Sequence, residues 1–463
     1  MIPLLAGCHR TTEPPPPPPA DSAITDSAPP ADSAPTGDTG EPCTPTDEII
    51  ADGVDQDCDG WADELGLGQP ATEAAQFLYL GDTWHGLGQS VDLGTDHLGT
   101  SWLALGGLSR ALAEVAPVDG TFELSVAGTE TYDEVGYELA IVNWEAGFLV
   151  SGDPWWTSLE LFDGVGAQVN REDSVAELRP VYTAGMEAAD LDADGIDEIL
   201  FGGGSTLSVY DEPVAGVFTR RLLVESVFPP SQNFAYQVGE VGDLTGDGQV
   251  EITAYREDDD IGGRAFILPG DLSGTVLDTD VGWSLAGEEP EGQAGFSIAL
   301  GDIDGDGYLD LVTGAFLAQR RGGVSYVVQG PIPTDGFLAD GLARFEPLRD
   351  NDWCGVAVET LPDQDGDGTD EVAIACPRDR YGGVDLPGRV ELYAGGRVGG
   401  TLDATSADRV LVGAGAEDLF GLTMSADGDA TGDGAWDLAV GAPGDVQGAE
   451  ASGAVYVFAA PLL

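Results

Sequence analysis

The sequence predicts an all-β chain assembled from small repeated sheets. Three observations carry that prediction: one acidic motif recurs five times, Gly and Pro are abundant, and apolar residues come in short runs without long helical stripes. The 463 residues include 68 Gly and 29 Pro, about a fifth of the chain against a usual eighth. Hydrophobic residues still make up 42%, so material for a core is ample. The chain carries 83 acidic against 17 basic side chains, a net charge of −66, and every basic one is Arg. Such a charge excludes sequence-independent nucleic-acid binding, which needs Lys and Arg against phosphate, and electrostatic docking on anionic lipid. No run of 18 apolar residues occurs, so no transmembrane helix is expected.

From the N-terminus, residues 1–8 end in Leu5-Ala6-Gly7-Cys8, which resembles the lipobox at which bacterial lipoproteins are cleaved and lipidated. Only seven residues precede Cys8, with no basic stretch and little apolar run. Either the signal begins upstream of Met1 or the string is a coincidence. Residues 9–42 follow as a Pro-, Asp- and Ser-rich linker with six consecutive prolines, Pro14 to Pro19. Such a segment cannot bury apolar surface, so it is expected to be disordered, with the proline run as a semi-rigid spacer. At about 3.1 Å per residue it reaches up to roughly 100 Å from an anchor. The implied location is the cell envelope, as an outer-membrane lipoprotein, or the extracellular space, with the membrane met only through the lipid.

Residues 43–66 form a small acidic segment bracketed by Cys43 and Cys58. Asp55, Asp57, Asp59, Trp61 and Asp63 alternate through it, and it is similar to a short Cys/Asp-rich metal-binding repeat of secreted bacterial proteins. It is too small for a core, so a metal and a Cys43–Cys58 bridge would have to hold it. An oxidising compartment suits such a bridge.

Residues 76–463 hold the repeats. The motif Asp-x-Asp/Thr-x-Asp-Gly-x-x-Asp/Glu begins at Asp190, Asp243, Asp302, Asp363 and Asp429, at intervals of 53, 59, 61 and 66 residues. An alternating apolar run such as Gly295-Phe296-Ser297-Ile298-Ala299-Leu300 precedes each copy. A β-rich run ending in small residues follows, as in Gly314-Ala315-Phe316, Ala375-Cys376-Pro377 and Gly441-Ala442-Pro443. Each unit therefore reads as strand, acidic loop, strand, loop, strand.

In these residues the chain resembles the FG-GAP repeats of the integrin α-subunit β-propeller. Phe420-Gly421 and Gly441-Ala442-Pro443 reproduce both halves of that name. Cys354-Gly355, Phe296 and Phe201-Gly202-Gly203 are looser versions. Upstream, Gly86-Leu87-Gly88 with Asp92-x-Gly94-x-Asp96 reads as a decayed copy, and there is room for a further degenerate blade around Val135 to Asp153. The expected fold is a seven-bladed β-propeller of about 55 residues a blade, with six and eight blades as the alternatives. Radial repetition suits the composition, since it leaves only short strand edges. The resemblance also places Cys354 where the family has Phe before Gly, and Cys376 where it has Ala in Gly-Ala-Pro. These are the two ends of one hairpin, so a Cys354–Cys376 disulfide is expected.

The acidic loops match the needs of Ca²⁺, which takes six to eight oxygens; a Gly at the sixth position allows the tight wrap. Mg²⁺ prefers to keep its waters. The oxygen sets are Asp190, Asp192, Asp194, Glu198 and the carbonyl of Ile196; Asp302, Asp304, Asp306, Asp310 and the carbonyl of Tyr308; and Asp363, Asp365, Asp367, Glu371 and the carbonyl of Thr369. Two loops have Thr at the third position and are expected to bind more weakly. They are Asp243, Thr245, Asp247, Gln249 and Glu251, and Asp429, Thr431, Asp433, Ala435 and Asp437. The bland reading, solvated Asp-Gly turns, leaves the crowding of like charges unexplained. In the integrin family these loops lie opposite the ligand-binding surface, which implies that calcium here is structural.

Catalytic constellations are scarce. The only histidines, His9, His85 and His97, have no nucleophile-elbow Ser near them, and there is no zinc pattern, P-loop or dinucleotide fingerprint. The function expected is therefore non-enzymatic adhesion or ligand binding by a tethered or secreted propeller. A lectin or glycan-active propeller is the alternative, to which Trp155-Trp156 could contribute stacking. The loops opposite the calcium would carry Arg256, Arg320, Arg321, Arg378 and Arg380. Such a rim suits an anionic group on a glycan or protein ligand, because Arg is a planar bidentate donor. Pairing of these arginines with nearby acids such as Glu257, Asp258 and Asp379 is the competing reading.

Overall fold

The computed structural model describes residues 68–463 apart from short internal stretches, the longest being 128–136. Cys8, Cys43, Cys58, Asp55, Asp57, Asp59, Trp61 and Asp63 lie outside the described residues, as do the linker, the three histidines, Trp155-Trp156 and Arg380. Among the described residues helix is confined to single turns, Ala71–Ala74 being α-helical and Ala318–Arg321 a turn with left-handed backbone at Gln319, Arg320 and Arg321. No helix among the described residues is long and apolar enough to cross a membrane.

The strands form seven sheets of four or five strands each. Numbered along the chain, their inner strands are Leu87–Thr95, Glu138–Ile141, Gly185–Ala189, Phe234–Gly242, Ile298–Gly301, Val358–Leu361 and Thr423–Ser425. Each inner strand packs against the next, and the seventh packs against the first, so the sheets surround an axis as a β-propeller. Six sheets hold a four-stranded antiparallel meander, and in four of them the segment between the third and fourth strands pairs parallel with the outer strand of the preceding sheet. The fifth runs Ile298–Gly301, Asp310–Ala315, Val324–Val328, Ala343–Phe345. The seventh is composite: Thr423–Ser425, Leu438–Ala442 and Ala454–Phe458 are joined at the outer edge by Phe77–Leu80, which pairs antiparallel with the last. The second and the last strands of the described chain therefore share one sheet, while the first, Gly68–Pro70, pairs parallel with Arg409–Val412 at the outer edge of sheet six.

Radial stacking explains the burial pattern. Every residue of Asp310–Ala315 and of Glu371–Cys376 is buried, because a sheet covers each of their two faces. The cores lie between successive sheets: Ile267, Leu285, Leu311 and Tyr326 join sheets four and five, and Leu361, Leu411, Val440 and Tyr456 join six and seven. Close approach explains the small residues of the repeat. A Cβ on Gly314 would stand 1.8 Å from the Gly355 carbonyl oxygen, and Gly355 itself has φ +79°. The Gly of one Gly-Ala segment and the Gly after the Phe position of the next sheet therefore interlock.

Cys354 and Cys376 are disulfide-bonded, with Cα atoms 4.0 Å apart, both buried. The bridge closes the hairpin of sheet six at the end away from its acidic loop. The degenerate second sheet starts where the sequence suggested but extends to Leu178.

Candidate functional site

All five acidic loops join an inner strand to the second strand of its sheet, so they emerge at one end of the ring. Their carboxylates are bent inward by the chain's own amides. In the 302–310 loop, Gly307 N donates to Asp302 Oδ2 (3.0 Å), Asp306 N to Asp304 Oδ1 (3.1 Å) and Tyr308 N to Asp306 Oδ1 (2.9 Å). The loops at Asp190, Asp243 and Asp429 repeat the contact from the sixth-position Gly, at 2.8, 2.8 and 2.7 Å. That Gly has φ between +85° and +93° in all five copies, the left-handed geometry that only Gly enters freely.

In four loops three carboxylates converge with one oxygen each inside 4.8 Å: Asp190, Asp192 and Asp194; Asp302, Asp304 and Asp306; Asp363, Asp365 and Glu371; Asp429, Asp433 and Asp437. At Asp243 the Thr245 hydroxyl and amide turn to Glu251, and no such convergence appears among the described residues. In the Asp429 loop, Thr431 is likewise bound to Asp437 while three acids still meet. Asp367 is drawn off by Thr369, whose amide donates to it at 2.9 Å. Arg221, on the outer strand of sheet three, reaches Asp192 (3.1 Å) and Glu198 (2.8 Å) and partly neutralises that loop.

The charge balance of the loops is unfavourable without a cation. Two unit charges 4 Å apart repel by about 4 kcal/mol at the effective dielectric of a protein surface, whereas a hydrogen bond returns about 1 kcal/mol net. Burial, reinforced by neighbouring acids, pushes the ninth-position carboxyls up: Asp310 to about 6, Glu371 to about 7, and Glu198 and Glu251 in the same direction. Two buried oxygens, Asp302 Oδ1 and Glu371 Oε1, have no hydrogen-bond donor. A hard cation with oxygen ligands fits both the repulsion and these orphaned atoms.

Several acids that the repeat pattern did not single out have other roles. Asp197 accepts from Asn143 N (2.7 Å) and Asp370 from Asp302 N (2.8 Å), so in these two loops the eighth position pins a sheet to its predecessor. Asp92 accepts from Ile141 N and Glu240 from Leu300 N, lacing inner strands together. Asp92, Glu187, Asp197 and Asp427 line an axial cavity of about 230 Å³. Burial first, and the charge of Asp427 second, push Asp92, Glu187, Glu240 and Glu359 upward. This corrects the reading of Asp92-x-Gly94-x-Asp96 as a decayed loop. Asp92 and Gly94 belong to the inner strand, and Asp96 caps a short turn.

Strand alternation puts the loops between second and third strands at the end opposite the acidic loops. Arg320 and Arg321 are exposed there, and Arg320 meets Asp350 at 3.4 Å. Arg378 lies over the Trp353 ring at 4.5 Å. Arg256 departs from expectation: it is buried, with its guanidinium over Phe266, and offers nothing to a rim.

With this geometry in hand, comparison with known proteins is specific. The FG-GAP repeat model matches residues 294–328, the first three strands of sheet five with their acidic loop. The chain is similar to integrin alpha-V of Gallus gallus, 34% identical over 175 residues, which covers 35% of this chain and 16% of that protein. It is 32% identical to integrin alpha-PS2 of Drosophila melanogaster over 169 residues, covering 35% of this chain and 11% of that one. The matched stretches thus span less than a fifth of these relatives. A crystal structure of BBS1N in complex with ARL6DN, soaked with lead, has a TM-score of 0.50, with 84% of this chain and 97% of that chain covered. At 9% identity this is a likeness of fold alone. Fold and repeat agree: the described residues are a β-propeller carrying an FG-GAP repeat.

Proposed function

We propose that this FG-GAP propeller is a calcium-binding, non-enzymatic adhesion or ligand-binding module, tethered at the cell envelope through Cys8 or secreted. In this reading the seven sheets of the described residues are taken as seven blades, the last completed by Phe77–Leu80. The observation that carries the reading is the division between its two ends. One end gathers carboxylates beyond the number of available donors; the other exposes Arg320 and Arg321 beside a half-buried, stacked Arg378–Trp353 pair. Calcium at Asp190, Asp302, Asp363 and Asp429 would set the loops and leave the arginine end to meet a partner. An exposed Arg–Asp pair such as Arg320–Asp350 is worth no more than about 1 kcal/mol, so a ligand carboxylate or sulfate can displace it. The best-clustered acids are committed to metal, which argues against hydrolytic chemistry.

Two measurements test this. Calorimetric titration of chelator-stripped protein should give saturable heat with Ca²⁺ at concentrations where Mg²⁺ gives little. Calcium-loaded protein should then bind immobilised sulfated or carboxylated glycans, or acidic peptides, and the Arg320→Ala, Arg378→Ala double variant should lose that binding while still folded. Retention confined to glycans would favour the lectin reading, and unchanged binding by the variant would remove the arginine end from the function.

A further inference from the structure

Three successive sheets show one position in three chemical states. The position lies at the end opposite the acidic loops. It comprises the residue two before the Phe-type position, the residue three after the end of the second strand, and the first and third residues of the third strand. In sheet five these are Ala294, Ala318, Val324 and Tyr326, an apolar set apart from the tyrosine hydroxyl. In sheet six they are Asp352, Asp379, Arg389 and Glu391. The fully buried Arg389 guanidinium contacts Asp379 at 2.5 Å, Glu391 at 2.7 Å and Asp352 at 3.6 Å.

In sheet seven the set is Asp418, Asp445, Ala454 and Tyr456. The equivalence is written in the backbone. Arg389 pairs with Cys376 as Ala454 pairs with Ala442. Arg378 N donates to the Asp352 carbonyl as Gly444 N donates to that of Asp418, at 3.1 and 3.0 Å. Asp379 N and Asp445 N close the same turn onto Cys376 and Ala442. The two carboxylates are therefore kept, but Ala454 stands where the arginine was. No residue from 410 to 463 is basic.

Both acids are deeply buried: Asp418 is 1% exposed and Asp445 0%. Tyr456 OH donates to Asp445 Oδ2 at 2.5 Å, and Gly415 N to Asp418 Oδ2 at 2.5 Å. Asp418 Oδ1 is buried with no hydrogen-bond partner. Burial first, and the neighbouring Asp445 charge second, push Asp418 up to about 6, so the folded chain holds this group at a cost. It is Asp418 Oδ1, a buried carboxylate oxygen with no donor, that carries the cost.

We propose that a divalent cation of the calcium class sits at Asp418 and Asp445 in sheet seven, in the place that the Arg389 guanidinium fills in sheet six. The ion would use Asp418 Oδ1 and the Asp445 carboxylate as hard oxygen ligands. It is separate from the acidic loops, since it lies at the other end of the sheet from the Asp429 loop.

The test is bound-metal stoichiometry on the full chain, gel-filtered from calcium buffer and measured by mass spectrometry of the metal. Asp418→Asn should hold one equivalent less calcium than wild type. Ala454→Arg, which copies the sheet-six solution, should release the same equivalent, and it decides the matter if Asp418→Asn does not fold. Asp306→Ala separately reports on a loop ion. Loss in Asp306→Ala but not in Asp418→Asn or Ala454→Arg overturns this proposal and leaves the loop reading intact; the reverse result does the opposite. An unchanged metal count and melting temperature in Asp418→Asn means that a shared proton fills the role, because Asn mimics the protonated acid, and that outcome also overturns it.

Discussion

Sheets one and five solve the same problem, joining an inner strand to its neighbour, in two ways. In sheet one the connection is a short turn around a single buried acid. Asp96 accepts from Leu98 N, Thr100 N and Trp102 Nε1, each at 2.9 Å. In sheet five the nine-residue loop brings in four acids, three of them converging, and leaves Asp302 Oδ1 buried without a donor. Both regions are acidic. What separates them is the ratio of acceptors to donors: the first turn satisfies itself, and the second loop needs something added. An acid count alone therefore does not mark a cation site.

The largest effect should come from removing the cation. A ligand that binds only the folded state at a hundredfold excess over its Kd adds about 2.7 kcal/mol per site, so several loops together imply a fall in melting temperature on the order of ten degrees or more in EDTA. Ca²⁺ should restore it better than Mg²⁺. Hydrogen exchange sharpens the comparison: chelation should speed exchange through 302–310 and leave 96–102 unchanged. Equal melts with and without chelator, or equal acceleration in both segments, would erase the distinction between the sheets.

Within the loops, Asp306→Ala should cost more than Thr431→Ala. The first removes one of three converging carboxylates and endangers a whole site, about 2–3 kcal/mol by the same mass action. The second removes a hydroxyl already turned toward Asp437. Chemical denaturation in calcium measures both; in EDTA the Asp306 variant should lose its penalty or become the more stable, because a repelling charge is gone.

A pH series tests the same balance. Burial, the larger cause, raises Glu371 to about 7 and Asp310 to about 6 in the metal-free fold. For an acid whose folded pKa lies above its unfolded value, the folded state binds more protons between the two. Stability of the chelated protein should therefore be greatest below about pH 4.5, as far as these groups are concerned, and decline as pH rises to about 7. With calcium bound the decline should vanish. A chelated protein that gains stability over the same window would show that these carboxylates are already neutralised within the fold.

The five full repeats were legible because their spacing, Gly and alternating Asp residues are all local in the chain. The disulfide followed from aligning Cys354 and Cys376 to the repeat. The misreading of Asp92 has a physical cause. An Asp-x-Gly-x-Asp string reads alike in a loop and at a strand end, and only the register Asp92 to Ala104 puts it in the strand. The axial acids were invisible for another reason. Glu187, Glu240, Glu359 and Asp427 are far apart in sequence, and only closure of the ring brings them together. Arg256 read as a rim residue because sequence reports the end of a strand but not which side chains the next sheet covers. Asp418 and Asp445 gave no signal alone; their meaning comes from the Arg389 set one sheet earlier.

The smallest predicted effect concerns the turn that should not notice calcium. Trp102→Phe removes the indole donor from Asp96 but keeps most of the ring in its buried position. A hydrogen bond to an ionised group contributes about 1.5–3 kcal/mol, and the two backbone donors remain, so the cost should fall near the lower end, about 1.5 kcal/mol. The informative quantity is its dependence on the metal. Because Asp96 is satisfied by donors within its own turn, the penalty measured by denaturant unfolding should be equal in Ca²⁺ and in EDTA. A penalty that grows in EDTA would mean that the turn of sheet one leans on the acidic loops across the ring, and that the two solutions are coupled.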